Sequence, residues 1–235
     1  MNAVRILAAA LLLWLHPGAY VPGSPAADAP YSIKTADAAP PTELAEPIRT
    51  LLADRCVQFF AGGDRPSAEV WLRKEAPGDA VEVQIMNGLT YHEIPETTLL
   101  GACRINGDFT DYRHQKIAPG VYTLRLAFQP VTDDHQGTAP YPDFLLASPA
   151  AEDRSPEPME HKALEELSGK TTGKHPAVLL LFPGKNTADE PKLVEKGGCW
   201  VLMAKQDVRV GDRKTVMGVG LTLVGTSPKA PDRLK

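Results

Sequence analysis

The segment Asp133-Asp134-His135 brings two carboxylates and an imidazole together within three residues. These groups bind divalent metal ions, and a carboxylate beside an imidazole can also act as an acid/base pair. Neighbouring residues of an extended chain point to opposite faces, so only one carboxylate can readily join the imidazole. We take Asp134 and His135 as candidate metal ligands. The structural alternative is a turn in which Asp side chains accept backbone N–H bonds and Gly137 supplies a positive φ.

Further carboxylates join this pair if the surrounding strands form a meander. Strands are predicted at residues 98–104, 112–117 and 121–129. A meander of these strands returns the loop that contains Asp108 to the end of the third strand that precedes His135. The third strand is roughly 26 Å long, so His114, near its start, lies too far away to share the site. The predicted ligand-binding residues are Asp108, Asp134, His135 and Asp143, with Asp111 as a further member of the mouth.

An acidic mouth that contains a histidine favours a cation, a cluster of sugar hydroxyls or a basic peptide as its ligand. The same meander places His92 at the opposite end, with His114, where an exposed loop histidine without a ligand is the ordinary interpretation. Cys56, Cys103 and Cys199 lie at long spacings and form no C-x-x-C pair. They predict either three buried thiols or, in an oxidising compartment, one disulfide and one free thiol.

The sequence lacks the common catalytic and cofactor motifs. It has no G-x-S-x-G elbow, H-E-x-x-H pair, Walker loop, dinucleotide fingerprint or EF-hand spacing. No cofactor is predicted except a divalent metal ion. The sequence therefore favours binding over catalysis.

The amino terminus has the layout of a secretory signal peptide. Arg5 precedes an apolar run of about ten residues, and small residues and prolines follow up to Ala26. Such a run is too short for a bilayer core that needs roughly 20 residues. We expect a signal peptide at residues 1–26, a secreted or periplasmic protein, and no stable membrane span after cleavage. An uncleaved anchor is the alternative.

Periodicity along the remaining chain predicts a mostly β protein. Residues 27–41 are rich in Ala, Pro and Asp and are expected to form a flexible linker. Helical spacing predicts two short helices, near residues 42–52 and 157–167, and the other apolar segments have strand character. The expected architecture is a β-sandwich, Ig-like or transthyretin-like, with one domain at residues 42–225 and a tail at 226–235.

Composition excludes several classes of protein. The 235 residues are 43% hydrophobic and carry a net charge of −4, so a nucleic-acid partner is not expected. Aromatic residues make up only 6% of the chain, which weakens the case for a sugar-stacking surface. An envelope protein or a carbohydrate stays open as the partner.

Residues 111–153 contain the motifs D-Y-R-H-Q-x-I-x-P-G-V-Y-T-L-R-L, D-D-H-Q-G and D-F-L-L-A-S-P-A-A-E-D. With His175-Pro176-Ala177-Val178-Leu179, this stretch resembles a group of exported bacterial proteins without an assigned activity. The resemblance spans residues 44–181 and implies no catalytic residues. The P-G-x-Y-T-L turn and strand is also similar to transthyretin-like extracellular sandwich modules, which implies the fold alone.

Three functions follow as hypotheses. The first is a secreted or periplasmic binding protein without catalysis. The second is an exported metal-binding protein that uses Asp134 and His135. The third is a hydrolase acting on envelope material.

Overall fold

The computed structural model describes residues 30–129, 139–184 and 188–228. Within these ranges the chain forms thirteen strands, three short α-helices and a 3-10 turn. The strands are β1 (Ser32–Asp37), β2 (Arg55–Phe60), β3 (Ala68–Leu72), β4 (Ala76–Pro77), β5 (Leu99–Ile105), β6 (Phe109–Thr110), β7 (Lys116–Ile117), β8 (Gly120–Phe128), β9 (Asp143–Pro149), β10 (Ala177–Gly184), β11 (Lys192–Lys196), β12 (Cys199–Val210) and β13 (Arg213–Val224). The helices are α1 (Glu46–Arg49), α2 (Glu82–Asn87) and α3 (His161–Thr172), and the 3-10 turn is Tyr91–Glu93.

The strands build a β-sandwich, as the alternating patterns predicted. The main sheet runs β1-β2-β3-β5-β8-β9-β10-β13-β12-β11, with β4 beside β12, while β6 pairs with β7. β10 connects the two layers, because residues 177–180 pair with β9 and residues 181–184 pair with β13. Leu124 of one layer and Leu202 and Val219 of the other pack in the same buried core. Burial of apolar side chains between the layers is the main stabilising contribution.

Two helical segments cover the outer face of the layer that contains β3, β5, β8 and β9. The α1 segment buries Ile48 and Leu52 against Trp71, as the helical spacing predicted. α3 buries Leu164 against Leu146 and other side chains of the outer face.

α3 differs from its predicted bounds at both ends. It begins after Pro156 and Pro158, since a proline has no backbone N–H for a helix interior. It continues past Ser168 to Gly173, which adopts the left-handed φ of 80° that suits glycine at a helix end.

Two segments differ from the sequence prediction because tertiary contacts determine their structure. β1 lies in the predicted linker; it pairs with β2, and Tyr31 stacks on Phe59 at 5.6 Å. The domain therefore begins before residue 42. Residues 80–85 alternate like a strand, but α2 forms at Glu82–Asn87, where helix-favouring residues are anchored by neighbouring side chains.

The region after β6 also differs from its predicted strand. Only Lys116–Ile117 is extended; residues 112–115 turn around Asp111, and His114 has a φ of 64°. Part of the predicted tail packs here, because Ser227 N donates to Tyr112 O at 2.8 Å.

The three cysteines are free thiols, each buried in a different core cluster. Burial raises the pKa of Cys56 to about 11 and that of Cys103 to about 12. These thiols are therefore protonated at neutral pH and pack as small apolar groups.

Candidate functional site

The register of β8 separates two of the predicted ligand-binding residues. β5 pairs directly with β8, with Ile105 opposite Gly120, so Asp108 lies beyond the start of β8. Asp143 lies opposite Phe128, at the other end. A strand of nine residues spans roughly 26 Å, so the predicted convergence of Asp108 with Asp143 is wrong. The predicted meander included a strand at residues 112–117 between β5 and β8. Without that strand β5 and β8 are antiparallel neighbours, so the loop after β5 lies at the start of β8 and not at its end.

Asp134 and His135 lie outside the described residues, and their role as metal ligands stays a prediction. Among the residues that the structure describes, no group of three or more His, Cys, Asp or Glu side chains has a geometry that could hold a metal ion.

Asp111 has a structural role. Its carboxylate is fully buried and accepts hydrogen bonds from Arg113 N, Gln115 N and Val178 N at 2.7–2.9 Å, as well as from the Gln115 amide. Burial raises its pKa, although these donors act in the opposite direction. The carboxylate ties the turn to β10, and we assign it no ligand.

Asp143 meets a histidine that the sequence prediction placed elsewhere. His92 Nε2 lies 3.7 Å from Asp143 Oδ1, and the imidazole stacks on Phe128 at a centroid distance of 5.0 Å. The Asp143 side chain is 10% exposed, whereas that of His92 is 63% exposed. We call His92, Phe128 and Asp143 the β8 end site.

A local capping motif presents His92. Thr90 and Glu93 form a capping box: Thr90 N donates to Glu93 Oε2 at 2.7 Å, and Thr90 Oγ1 accepts from His92 N at 3.3 Å. Tyr91, within the same turn, is buried between the layers. Its hydroxyl donates to Phe182 O and accepts from Gly220 N, both at 2.8 Å. The turn is thus fixed to the sandwich on one side and holds His92 toward solvent on the other.

The Asp143 carboxylate is incompletely satisfied. Among the described residues Oδ1 has no hydrogen-bond partner, since 3.7 Å to His92 exceeds hydrogen-bonding distance, and it is closed off from solvent. Burial raises the pKa of Asp143, and the neighbouring His92 partly counteracts that rise. A buried carboxylate without a donor costs free energy, and a small rotation of the exposed imidazole would supply one.

This geometry makes Nδ1 of His92, the ring nitrogen that does not face Asp143, a potential ligand-binding atom. When Nε2–H points at Asp143, Nδ1 becomes the acceptor of the neutral imidazole. A carboxylate behind the ring strengthens that acceptor and attracts a positive charge. The pair can therefore bind a cationic N–H donor. A carboxylate and imidazole pair can also activate a nucleophile, but each of the three cysteine thiols is buried.

A second imidazole lies next to the β8 end site. Glu96 Oε1 accepts from Phe128 N at 3.0 Å and lies 2.8 Å from His161 Nδ1. His161 Nε2 lies 3.3 Å from Glu165 Oε1. Burial alone would lower the pKa of His161, but Glu96 and Glu165 outweigh that effect and raise it. Both ring nitrogens face carboxylates, which favours the protonated imidazole and joins α3 to the sheet.

The outer face of β8 also carries a buried ion pair. Arg125 is fully buried and donates to both carboxylate oxygens of Asp153, at 2.7 and 3.0 Å. Its remaining N–H groups donate to the backbone oxygens of Thr97, Ser155 and Glu157. All five guanidinium donors are used, so this pair holds residues 153–157 on the sheet and has no donor left for a ligand.

An open groove of about 930 Å³ lies on the outer face near the end of β10. Its lining includes Tyr112, Tyr141 and Phe182, and the rings of Tyr141 and Phe182 meet edge to face at 5.1 Å. Lys196 is the charged side chain of the described lining. The groove suits an apolar or aromatic group. The described residues that line it include no buried polar side-chain atom that lacks a hydrogen-bond partner. The β8 end site does contain such an atom, in the carboxylate of Asp143.

The sequence analysis named Asp143 as a ligand-binding residue beside Asp108, but it placed His92 at the opposite end of the strand and so missed this neighbour. The capping box from Thr90 to Glu93 was a visible signal that His92 lies in an ordered turn. Arg125 showed a weaker signal, as a charged residue in an otherwise apolar strand of alternating pattern.

No helix within residues 30–129, 139–184 and 188–228 combines the length and apolarity needed to cross a membrane. No protein-family model matches the chain, and searches of curated proteins and of solved structures found no match either.

Proposed function

We propose that this protein is an exported, non-catalytic binding protein whose β8 end site binds a cationic N–H donor, an ammonium or guanidinium group. The observation that carries the proposal is the buried, unpaired Oδ1 of Asp143 behind the exposed imidazole of His92. Export is supported by the signal-peptide pattern at residues 1–26.

The ligand class follows from charge. Asp143, Glu96 and Glu165 lie on or beside this surface, and the basic groups described there are imidazoles. An anionic ligand would be repelled by these carboxylates, whereas a guanidinium can donate to His92 Nδ1 and be attracted by Asp143 behind it.

An NMR titration with N-acetyl-arginine amide tests the proposal. We expect saturable shifts of the His92, Phe128 and Asp143 amides, and much weaker shifts with the neutral isostere N-acetyl-citrulline amide. Asp143→Asn should weaken binding at least about tenfold, since the charge behind the imidazole is lost.

Asp108→Asn is the matched control, because it removes the same charge from an exposed position at the opposite end of β8. Its affinity should equal that of the wild type. Equal binding of arginine and citrulline amides, or no effect of Asp143→Asn, would overturn the proposal. A parallel titration with Zn²⁺ that saturates and requires His92 would assign the site to a metal ion instead.

A further inference from the structure

The large apolar side chains that stay exposed in the described chain lie in or directly before α2, the helix that is hydrogen-bonded to the turn carrying His92. They are Val81, Val83 and Met86, exposed by 62%, 59% and 75%. Val83 and Met86 are three residues apart in α2 and therefore share one helix face, while Gln84 and Ile85 turn inward. A contiguous exposed apolar patch is typical of a surface that a partner covers.

α2 is held at this position by contacts on both sides. Gln84 Nε2 donates to Glu93 Oε1 at 3.0 Å, which joins the helix to the turn that carries His92. On the other side Glu82 pairs with Arg213 at the β12–β13 hairpin. A six-residue helix is not stable alone, so these contacts determine where its apolar face points.

We infer that the ligand is a protein segment in which a basic residue is flanked by apolar side chains; this inference rests on the proposed function. The basic group binds at His92 and Asp143, and the apolar side chains pack on Val83 and Met86. Two observations point to this occupant. A basic residue complements the charge of the acidic β8 end site, and the Gln84–Glu93 hydrogen bond joins α2 to the turn that carries His92. Methionine suits such a surface because its side chain adapts to different partners.

Two peptides separate the apolar contribution from the charged one. The probes are Ac-Leu-Ser-Arg-Ser-Leu-amide and Ac-Ser-Ser-Arg-Ser-Ser-amide, compared by NMR titration. Burial of two leucine side chains should make the first peptide bind about tenfold more tightly than the second.

The double variant Val83→Ser/Met86→Ser should remove that tenfold difference and leave the affinity for the serine peptide unchanged. Both side chains are exposed, so the variant should fold normally, which circular dichroism checks. The matched control Lys162→Ser/Glu166→Ser alters two exposed residues of α3 and should preserve the difference.

The outcomes distinguish the two proposals. If neither peptide responds to Asp143→Asn, the proposed function is wrong. If the serine peptide requires Asp143 but the leucine peptide gains nothing, or keeps its gain in the α2 variant, only the present inference is wrong. A dimer without peptide that dissociates in the α2 variant would assign this face to a second copy of the chain and also overturn the inference.

Discussion

Two pairs of a basic and an acidic side chain lie along β8, and they differ in how completely their polar atoms are satisfied. Arg125 and Asp153 are both buried, and every guanidinium N–H has an acceptor. His92 and Asp143 are separated by 3.7 Å, one exposed and the other buried without a donor to Oδ1. The first pair has no capacity left for a ligand, and the second does. Under the proposed function, a buried charged group is available to a ligand only where its hydrogen bonding is incomplete.

The largest expected loss of stability follows from breaking the Arg125–Asp153 pair. Arg125→Met should lower the free energy of unfolding by about 3–5 kcal/mol, because Asp153 is left as a buried charge without its partner. Denaturation in urea measures this loss. Arg125→Lys should recover little, because an ammonium cannot reproduce the two parallel bonds to Asp153. A loss below about 1 kcal/mol would show that the pair does not hold the segment to the sheet.

Two substitutions in the Tyr91–Glu93 turn should have smaller and unequal effects on stability, because Tyr91 holds the fold and His92 is the proposed ligand-binding residue. Tyr91→Phe should cost about 1–3 kcal/mol, since it leaves the buried Gly220 N and Phe182 O without the hydroxyl that both contact. His92→Ala should change the free energy of unfolding by less than about 0.5 kcal/mol, because the side chain is mostly exposed. Similar losses in both variants would contradict this division.

Removing the charge of Asp143 should stabilise the protein, whereas breaking the Arg125–Asp153 pair should destabilise it. Asp143→Asn should raise the free energy of unfolding at pH 7 by about 1 kcal/mol, because a buried charge is removed. The folded-state pKa of Asp143 is raised, so the wild type loses stability relative to the variant as pH rises from the ordinary Asp range of about 3.9 through that pKa. The two proteins should be equally stable at lower pH. A destabilised variant at pH 7 would mean that Asp143 serves the fold.

The smallest effect concerns His161, the imidazole that does have partners. Its raised folded-state pKa means that its contribution is fully present below about pH 6.5, its ordinary value, and is lost as pH rises through the folded-state pKa. His161→Gln should therefore cost a few tenths of a kcal/mol at pH 6 and nothing at high pH, since solvent screens this partly exposed group. Unfolding curves at several pH values measure the difference. A loss that does not vary with pH would show that the proton on His161 contributes nothing.

Much of the architecture was predictable because local patterns determine it. The alternation of Tyr122, Leu124 and Leu126 specified the inward face of β8, and all three are buried in the core. Pro119 marks a bend before this strand, but Gly120 is already the first residue of β8 and has no positive φ, so it does not form the glycine-dependent turn that the dipeptide predicted. β1 was not predictable, because its residues form a strand only when β2 supplies hydrogen bonds.

The site was less predictable, because it depends on which strands are neighbours. Asp143 was predicted as a ligand-binding residue because the assumed meander brought it together with Asp108 and His135. Its relation to His92 depends on β5 pairing directly with β8, which no local pattern reveals. One misassigned strand, at residues 112–117, was enough to place Asp108 and His92 at the wrong ends.

By itself, the sequence determined the mostly β character, the outward and inward faces of the principal strands and the helical coverage near residues 48 and 164. These features arise from hydrophobic periodicity and turn chemistry, which act over a few residues. The tertiary structure alone decided that Arg125 is saturated with acceptors and that Asp143 is left with an unpaired oxygen beside His92. Hydrogen-bond satisfaction is a property of atoms far apart in the chain, so residue type and spacing cannot reveal which charge is structural and which is available to a ligand.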